Sequence, residues 1–159
     1  MHPRAQELIE RLDLQPHPEG GFYCETFRSG SRVTGPEGER DGLTAIFFLL
    51  TEGRHSRWHR VAADELWTFV EGDGVELFDL ELQSEELRQA LLGPFDAGRE
   101  PLHVVPAGHW QAARAQGPYA LVACAVAPGF EFSDFTLLRE RPLEARRLRA
   151  RFPELAELL

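Results

Sequence analysis

Apolar positions along the chain fall into two kinds of pattern. Between Pro3 and Asp13, Ala5, Leu8, Ile9 and Leu12 recur at three- and four-residue spacing, which predicts a short amphipathic helix. Pro16-His-Pro-Glu-Gly-Gly21 then places two prolines and two glycines within six residues, and no helix continues through it. Beyond it the period shortens. Residues 21–28 read as an aromatic-rich strand, 29–42 as an exposed glycine-rich loop, and 43–51 as a central strand apolar on both faces. Further strands are predicted over 65–71, 75–82, 86–92, 102–105, 109–115 and 119–127, parted by turns such as Glu71-Gly-Asp-Gly74 and Gly93-Pro94. Many short strands with Gly/Pro turns predict an all-β sandwich or barrel rather than βαβ units. Pro142 opens a C-terminal helix over 142–159, at a position where proline is tolerated, and Pro153 divides it. No repeat or linker interrupts the pattern. One domain over 1–159 is expected, with its barrel core at about 20–138.

Composition narrows the partners. The chain has 159 residues, 43% of them apolar, and a net charge of −9 from 17 basic and 26 acidic side chains. Phosphate binding needs a basic footprint, so no nucleic-acid partner is expected. The one basic concentration, six arginines from Arg139 to Arg151, is interleaved with Glu140 and Glu144 and reads as solvated helix faces. Cys24 and Cys124 lie in apolar runs without C-x-x-C spacing and read as small buried hydrophobes. No charged-then-apolar leader opens the chain and no apolar run approaches a membrane span, so a soluble cytoplasmic protein with no membrane partner is expected.

Candidate chemistry concentrates in two stretches. In the first, Gly53, His59, Glu65 and Gly72 stand at spacings that resemble the first motif of the cupin superfamily, G-x5-H-x-H-x3,4-E-x6-G, with Val61 at the second histidine. In the second, Pro106-Ala-Gly108-His-Trp-Gln111 resembles P-x-G-x2-H, with Gln111 at the histidine. The resemblance implies a cupin-type antiparallel β-barrel or jelly roll with short N-terminal and C-terminal helices. Strand alternation then puts Glu65, Trp67 and Phe69 on one face, directed into the barrel. His59, Val61 and Gln111 project the same way, His109 is a neighbour, and Arg57 guards the mouth. Such an interior, mostly apolar with a few convergent polar groups, has the make-up of a small-molecule pocket. Valine offers no donor atom and glutamine only a neutral oxygen, so no tightly bound metal or other cofactor is expected. A divalent ion would have His59, Glu65 and Gln111 as candidate ligands, with His109, Glu25 or Tyr23 as further donors.

A narrower resemblance spans residues 8–138. His17-Pro-Glu-Gly-Gly21 with Tyr23, Glu25 and Arg28, then Ser56-Arg-Trp-His59, Asp64-Glu-Leu-Trp67, Val104-Val-Pro-Ala-Gly108, Trp110-Gln111 and Ala127-Pro-Gly-Phe-Glu-Phe132, resemble the DUF985 (cupin-5) family of undefined activity. That resemblance implies a fold like those of sugar-nucleotide epimerases, auxin-binding proteins and seed-storage proteins. It also implies homodimers formed through β-sheets, with strand 21–28 the candidate for exchange. The glycines of the His17–Gly21 stretch read as a tight turn. Its functional reading has Glu19, Tyr23 or Glu25 reaching the barrel mouth. Trp58 and Trp110 are expected to pack, Trp67 to stack on a ligand ring, and Arg28 to pair with an acidic neighbour.

Three functions follow as expectations. The first is a module binding a small carbohydrate, aromatic or purine-like ligand through Trp67, Phe69, Gln111, Glu25, His109 and Arg57. The alternative is a metal-independent carbohydrate epimerase or isomerase, with His59 as general base, Glu65 orienting it and Tyr23 returning a proton. The second alternative is a divergent metal-dependent cupin enzyme.

Overall fold

Strands whose side chains alternate between an apolar and a polar face must stack one apolar face against another. The computed structural model, which describes residues 1–35, 38–96 and 98–159, meets that demand with two antiparallel sheets packed as a jelly roll. The first sheet has the order β1 (Gln15–Pro16), β2 (Phe22–Arg28), β5 (Thr44–Thr51), β12 (Tyr119–Ala127), β7 (Asp64–Gly72) and β10 (Leu102–Val105). The second runs β13 (Thr136–Leu137), β6 (Ser56–Arg60), β11 (Trp110–Ala115), β8 (Val75–Glu81) and β9 (Glu86–Leu92). Helix α1 (Pro3–Leu12) precedes them and α2 (Pro142–Arg151) follows, with a 3-10 segment over Pro153–Leu158.

Each sheet buries part of its outer face as well as its inner one. Outside the second sheet, Trp58, Phe78, Leu80 and Trp110 lie under Ala145, Leu148, Phe152, Leu155 and Leu158. The Trp58 indole donates to the Leu155 carbonyl at 3.1 Å, so the tail is pinned as well as packed. Trp58 and Trp110 are therefore packing residues, as their strand parity suggests. Outside the first sheet, Ala5 and Leu8 of α1 cover Leu49 and Leu121, and Arg4 clasps Glu71 through two 2.9 Å bonds. Between the sheets, Leu50, Trp67, Val75, Leu77, Leu92, Val105 and Val122 fill one end of the barrel. Each such side chain contributes about 1.5–3 kcal/mol when fully buried. The other end is left open.

Two local expectations need correction. Residues 29–42, read as a loop, contain the hairpin β3 (Arg32–Gly35) and β4 (Gly38–Asp41), while 36 and 37 lie outside the described residues. The hairpin is polar on both faces, apart from Val33, so no apolar alternation betrays it. Strand β6 is absent from the strands that the sequence predicts, because Arg-Trp-His-Arg carries no such alternation either. Pro153 divides the C-terminal helix, with α2 ending at Arg151 and the 3-10 segment following over Pro153–Leu158. Among the described residues no helix is long and apolar enough to cross a membrane.

Candidate functional site

The open end of the barrel holds a cavity of about 330 Å³. Its apolar wall is built by inward positions of neighbouring strands: Tyr23 on β2, Ile46 and Phe48 on β5, Trp67 on β7, and Cys124 and Val126 on β12. Val61, just past β6, completes that wall. The segment between β12 and β13 folds over the mouth and adds Phe130, Phe132 and Phe135. Their rings form a connected array. Phe135 stacks on His59 at 5.4 Å, Phe132 on His17 at 6.0 Å, and Tyr23 meets His17 edge-on at 4.6 Å.

The floor is polar and buried. His59 is 2% exposed, Glu19 6% and Glu65 7%. The His59 Nδ1 lies 2.7 Å from the Arg57 carbonyl, which can only accept, so Nδ1 carries a proton, and in the neutral ring that burial favours Nε2 holds a lone pair. That Nε2 is 3.2 Å from Glu19 Oε2. The His17 Nδ1 also approaches Oε2, at 3.4 Å, and itself accepts the Glu19 backbone N–H at 3.3 Å. The backbone N–H already occupies the His17 Nδ1 lone pair, so a proton on Oε2 is donated to His59 Nε2. Ser56 Oγ donates to the other oxygen, Oε1, at 2.8 Å. Burial pushes the Glu19 carboxyl up to about 7, which fits the same protonation.

Glu65 is held differently. Trp67 Nε1, a donor only, fixes the Gln111 amide by donating to its oxygen at 2.9 Å, which turns the Gln111 nitrogen to Glu65 Oε2 at 2.6 Å. Burial raises Glu65 to about 7 as well, against the neighbouring His59. The Cys124 thiol hydrogen-bonds to Glu65 and is itself raised by burial and by the nearby carboxyls. Burial lowers His59 and His17, opposed by Glu65 and Glu19 respectively. Burial thus disfavours the charged form of all four groups.

Of the residues singled out in the sequence, His59, Glu65, Tyr23, Trp67 and Glu25 meet at this lumen. Glu19, Arg28 and Val61 join them, while Gln111, Phe69, His109 and Arg57 do not line it. Gln111 sits behind Glu65 with both ends of its amide engaged. Phe69 faces inward but packs against the filled end of the barrel. His109 turns to Asp79 at 2.7 Å, beside His103, because it precedes β11 and escapes strand alternation. Arg57 binds the Glu19 carbonyl through its backbone N–H at 2.9 Å and its guanidinium at 3.3 Å. The acid against His59 Nε2 is Glu19, not Glu65. His17 and the three phenylalanines at the mouth carry no signal in the sequence that marks them as site residues. Val61 and the fully engaged Gln111 leave the cupin ligand positions without a donor set that fits a divalent ion. Among the described residues no group of three His, Cys, Asp or Glu side chains is arranged to hold one.

This geometry can be set beside known proteins. The model of the cupin superfamily family DUF985 matches residues 6–138. The chain is a DUF985 cupin. A solved protein from Shewanella oneidensis is 34% identical to it, covering 98% of this chain and 96% of its own, with a TM-score of 0.85. A hypothetical protein from Leishmania major is 32% identical over 97% of this chain and 95% of its own, with a TM-score of 0.82. Oxalate decarboxylase from Bacillus subtilis, 16% identical over 93% of this chain and 37% of its own at a TM-score of 0.60, shares the fold of this DUF985 cupin. No curated protein matches the chain in sequence.

Proposed function

We propose that this DUF985 cupin binds a small ring-bearing molecule in its lumen. The ligand's polar end meets Glu19, His59 and Glu65, and its ring lies among Trp67, Phe48 and the phenylalanines of the mouth. One observation carries the reading: three titratable side chains, each more than nine-tenths buried, converge on a cavity of about 330 Å³. Burying such groups costs free energy that an apolar core would avoid. Ligand pockets are typically about 300–1,000 Å³, apolar, with a few placed polar groups. A library of one- and two-ring compounds, screened by thermal shift, tests it. A hit at a hundred times its Kd adds about 2.7 kcal/mol to the parent. In Val61→Phe, which fills the lumen from an apolar wall, the gain disappears. Hits that protect both proteins equally bind elsewhere and sink the reading.

His59 supports a second reading, proton transfer next to a ligand carbonyl without a metal. With Glu19 ionised, His59 Nε2 takes the ligand's proton and hands it to that carboxylate, 3.2 Å away. Solvent deuterium should then enter unphosphorylated keto-sugars incubated with the parent protein. Exchange as fast with His59→Ala removes the histidine from any such mechanism.

A further inference from the structure

The charges around the lumen are unbalanced. Five carboxyl side chains line it, Asp13, Glu19, Glu25, Glu65 and Glu131, against one guanidinium, Arg28. A guanidinium has five N–H donors, and those of Arg28 are all engaged. Nε and one Nη2 hydrogen go to the Glu25 carboxylate at 3.0 and 2.8 Å, and the second Nη2 hydrogen goes to the Phe130 carbonyl at 3.3 Å. Nη1 serves Asp41 at 3.0 Å and Glu131 at 3.3 Å. His17 and His59 are held neutral by burial, so neither offers positive charge. An anionic guest, a phosphate or nucleotide included, would meet carboxyls and find no free cation among the described residues of the lumen.

The walls point the same way. Trp67, Phe48, Tyr23, Phe132 and Phe135 turn aromatic surface toward the cavity. The negative face of such a ring repels an anion and attracts a cation, the attraction being about 0.5–1 kcal/mol when exposed and 2 or more when desolvated. A cation entering a dry site must also recover its lost hydration from hydrogen-bonding partners of opposite charge. Glu19 and Glu65 are the buried acids available for that.

We infer that the lumen selects an organic cation, a small amine or amidine carried on an apolar ring. Its N–H groups sit on Glu19 and Glu65, and its ring among the aromatic walls. This rests on the lumen being a binding site and adds the charge of the guest. The cation draws both acids into their ionised forms, so binding releases protons. The other titratable or charged groups facing the two acids are His17, His59 and Cys124, with Asp13, Glu25, Glu131 and the saturated Arg28 nearer the mouth.

Benzylamine, benzyl alcohol and benzoate share one ring and differ in charge. At about pH 8, calorimetry with the full chain should show benzylamine binding about tenfold tighter than benzyl alcohol, equivalent to 1.4 kcal/mol, and no binding of benzoate. Glu65→Gln and Glu19→Gln should each bring amine and alcohol toward equal affinity. Benzoate or the alcohol binding as tightly as the amine overturns the inference. So does an amine preference that survives in both variants. Silence from all three, with ring-library hits that Val61→Phe abolishes, overturns the charge assignment alone. Silence from the library as well removes the lumen site and the inference together.

Discussion

Glu19→Gln should make the protein more stable above neutral pH, not less. The carboxyl ionises at about 7 in the fold against an ordinary 4.5, with burial as the main cause. A raised carboxyl binds its proton more tightly folded than unfolded. Its contribution is therefore fully present below about pH 4.5 and is lost as pH rises through 7. The loss amounts to about 3 kcal/mol once both states are ionised. Glu65, also raised to about 7, adds a loss of the same sign. His17 and His59, both lowered, act oppositely, contributing stability above 6.5 that is lost as pH falls through their folded values. The parent should be most stable between the two limbs. A glutamine at position 19 reproduces the protonated acid: its oxygen accepts from Ser56 Oγ and its nitrogen donates to His59 Nε2. Urea midpoints at about pH 4 should nearly coincide for parent and variant. At about pH 8 the variant should lead by up to about 3 kcal/mol. Uniform destabilisation would show instead an ionised Glu19 paired with a protonated His59. A wild-type acid that lowers stability near neutral pH is what a functional site displays when activity and stability compete.

Where the backbone repeats, the sequence is readable. Alternation along β7 places Glu65, Trp67 and Phe69 inward, since period two admits no other choice once Trp67 is buried. Parity reports a face but not a depth. Phe69 shares the face of Trp67, yet it lies past the end of the lumen, next to an irregularity in the β7–β12 register. Gln111 faces inward for the same reason, and only its hydrogen bonds reveal that neither end of the amide is free. Where no repeat exists, orientation is invisible. His17 and Glu19 belong to a stretch whose prolines and glycines announce a turn and nothing of its direction. A backbone bond from Arg57 to the Glu19 carbonyl, 38 residues apart, brings that acid to His59. Phe130, Phe132 and Phe135 flank a 3-10 turn, Phe132–Asp134, for which strand periodicity has no prediction. The barrel can thus be derived from pattern, while half of its floor and its mouth depend on long-range closure.

Gly20→Ala tests that closure directly and should cost about 3 kcal/mol or more. Gly20 has φ +118, outside the range open to residues with a Cβ, and such conformations cost about 1–3 kcal/mol. Space is the larger obstacle. A Cβ there would lie 2.0 Å from the His55 carbonyl oxygen and 3.1 Å from its carbon, both backbone atoms that no rotamer change can move. The methyl must push the His17–Gly21 turn away from the start of β6, against the Arg57-to-Glu19 backbone bond of 2.9 Å. Glu19 would then leave His59 and regain water, so its part of the alkaline loss of stability should shrink. Gly53→Ala is the control. Its φ is +73 and nothing lies within 4 Å of the place a methyl would take, which leaves only the left-handed backbone cost of about 1–2 kcal/mol. For a domain near this size each kcal/mol moves Tm by about 2–4 °C, so Gly20→Ala should melt clearly below Gly53→Ala. Its stability should also change less between about pH 6 and pH 8 than that of the parent. Equal melting of the two variants, with the parent's pH dependence intact in both, would mean that the turn does not hold Glu19 against His59.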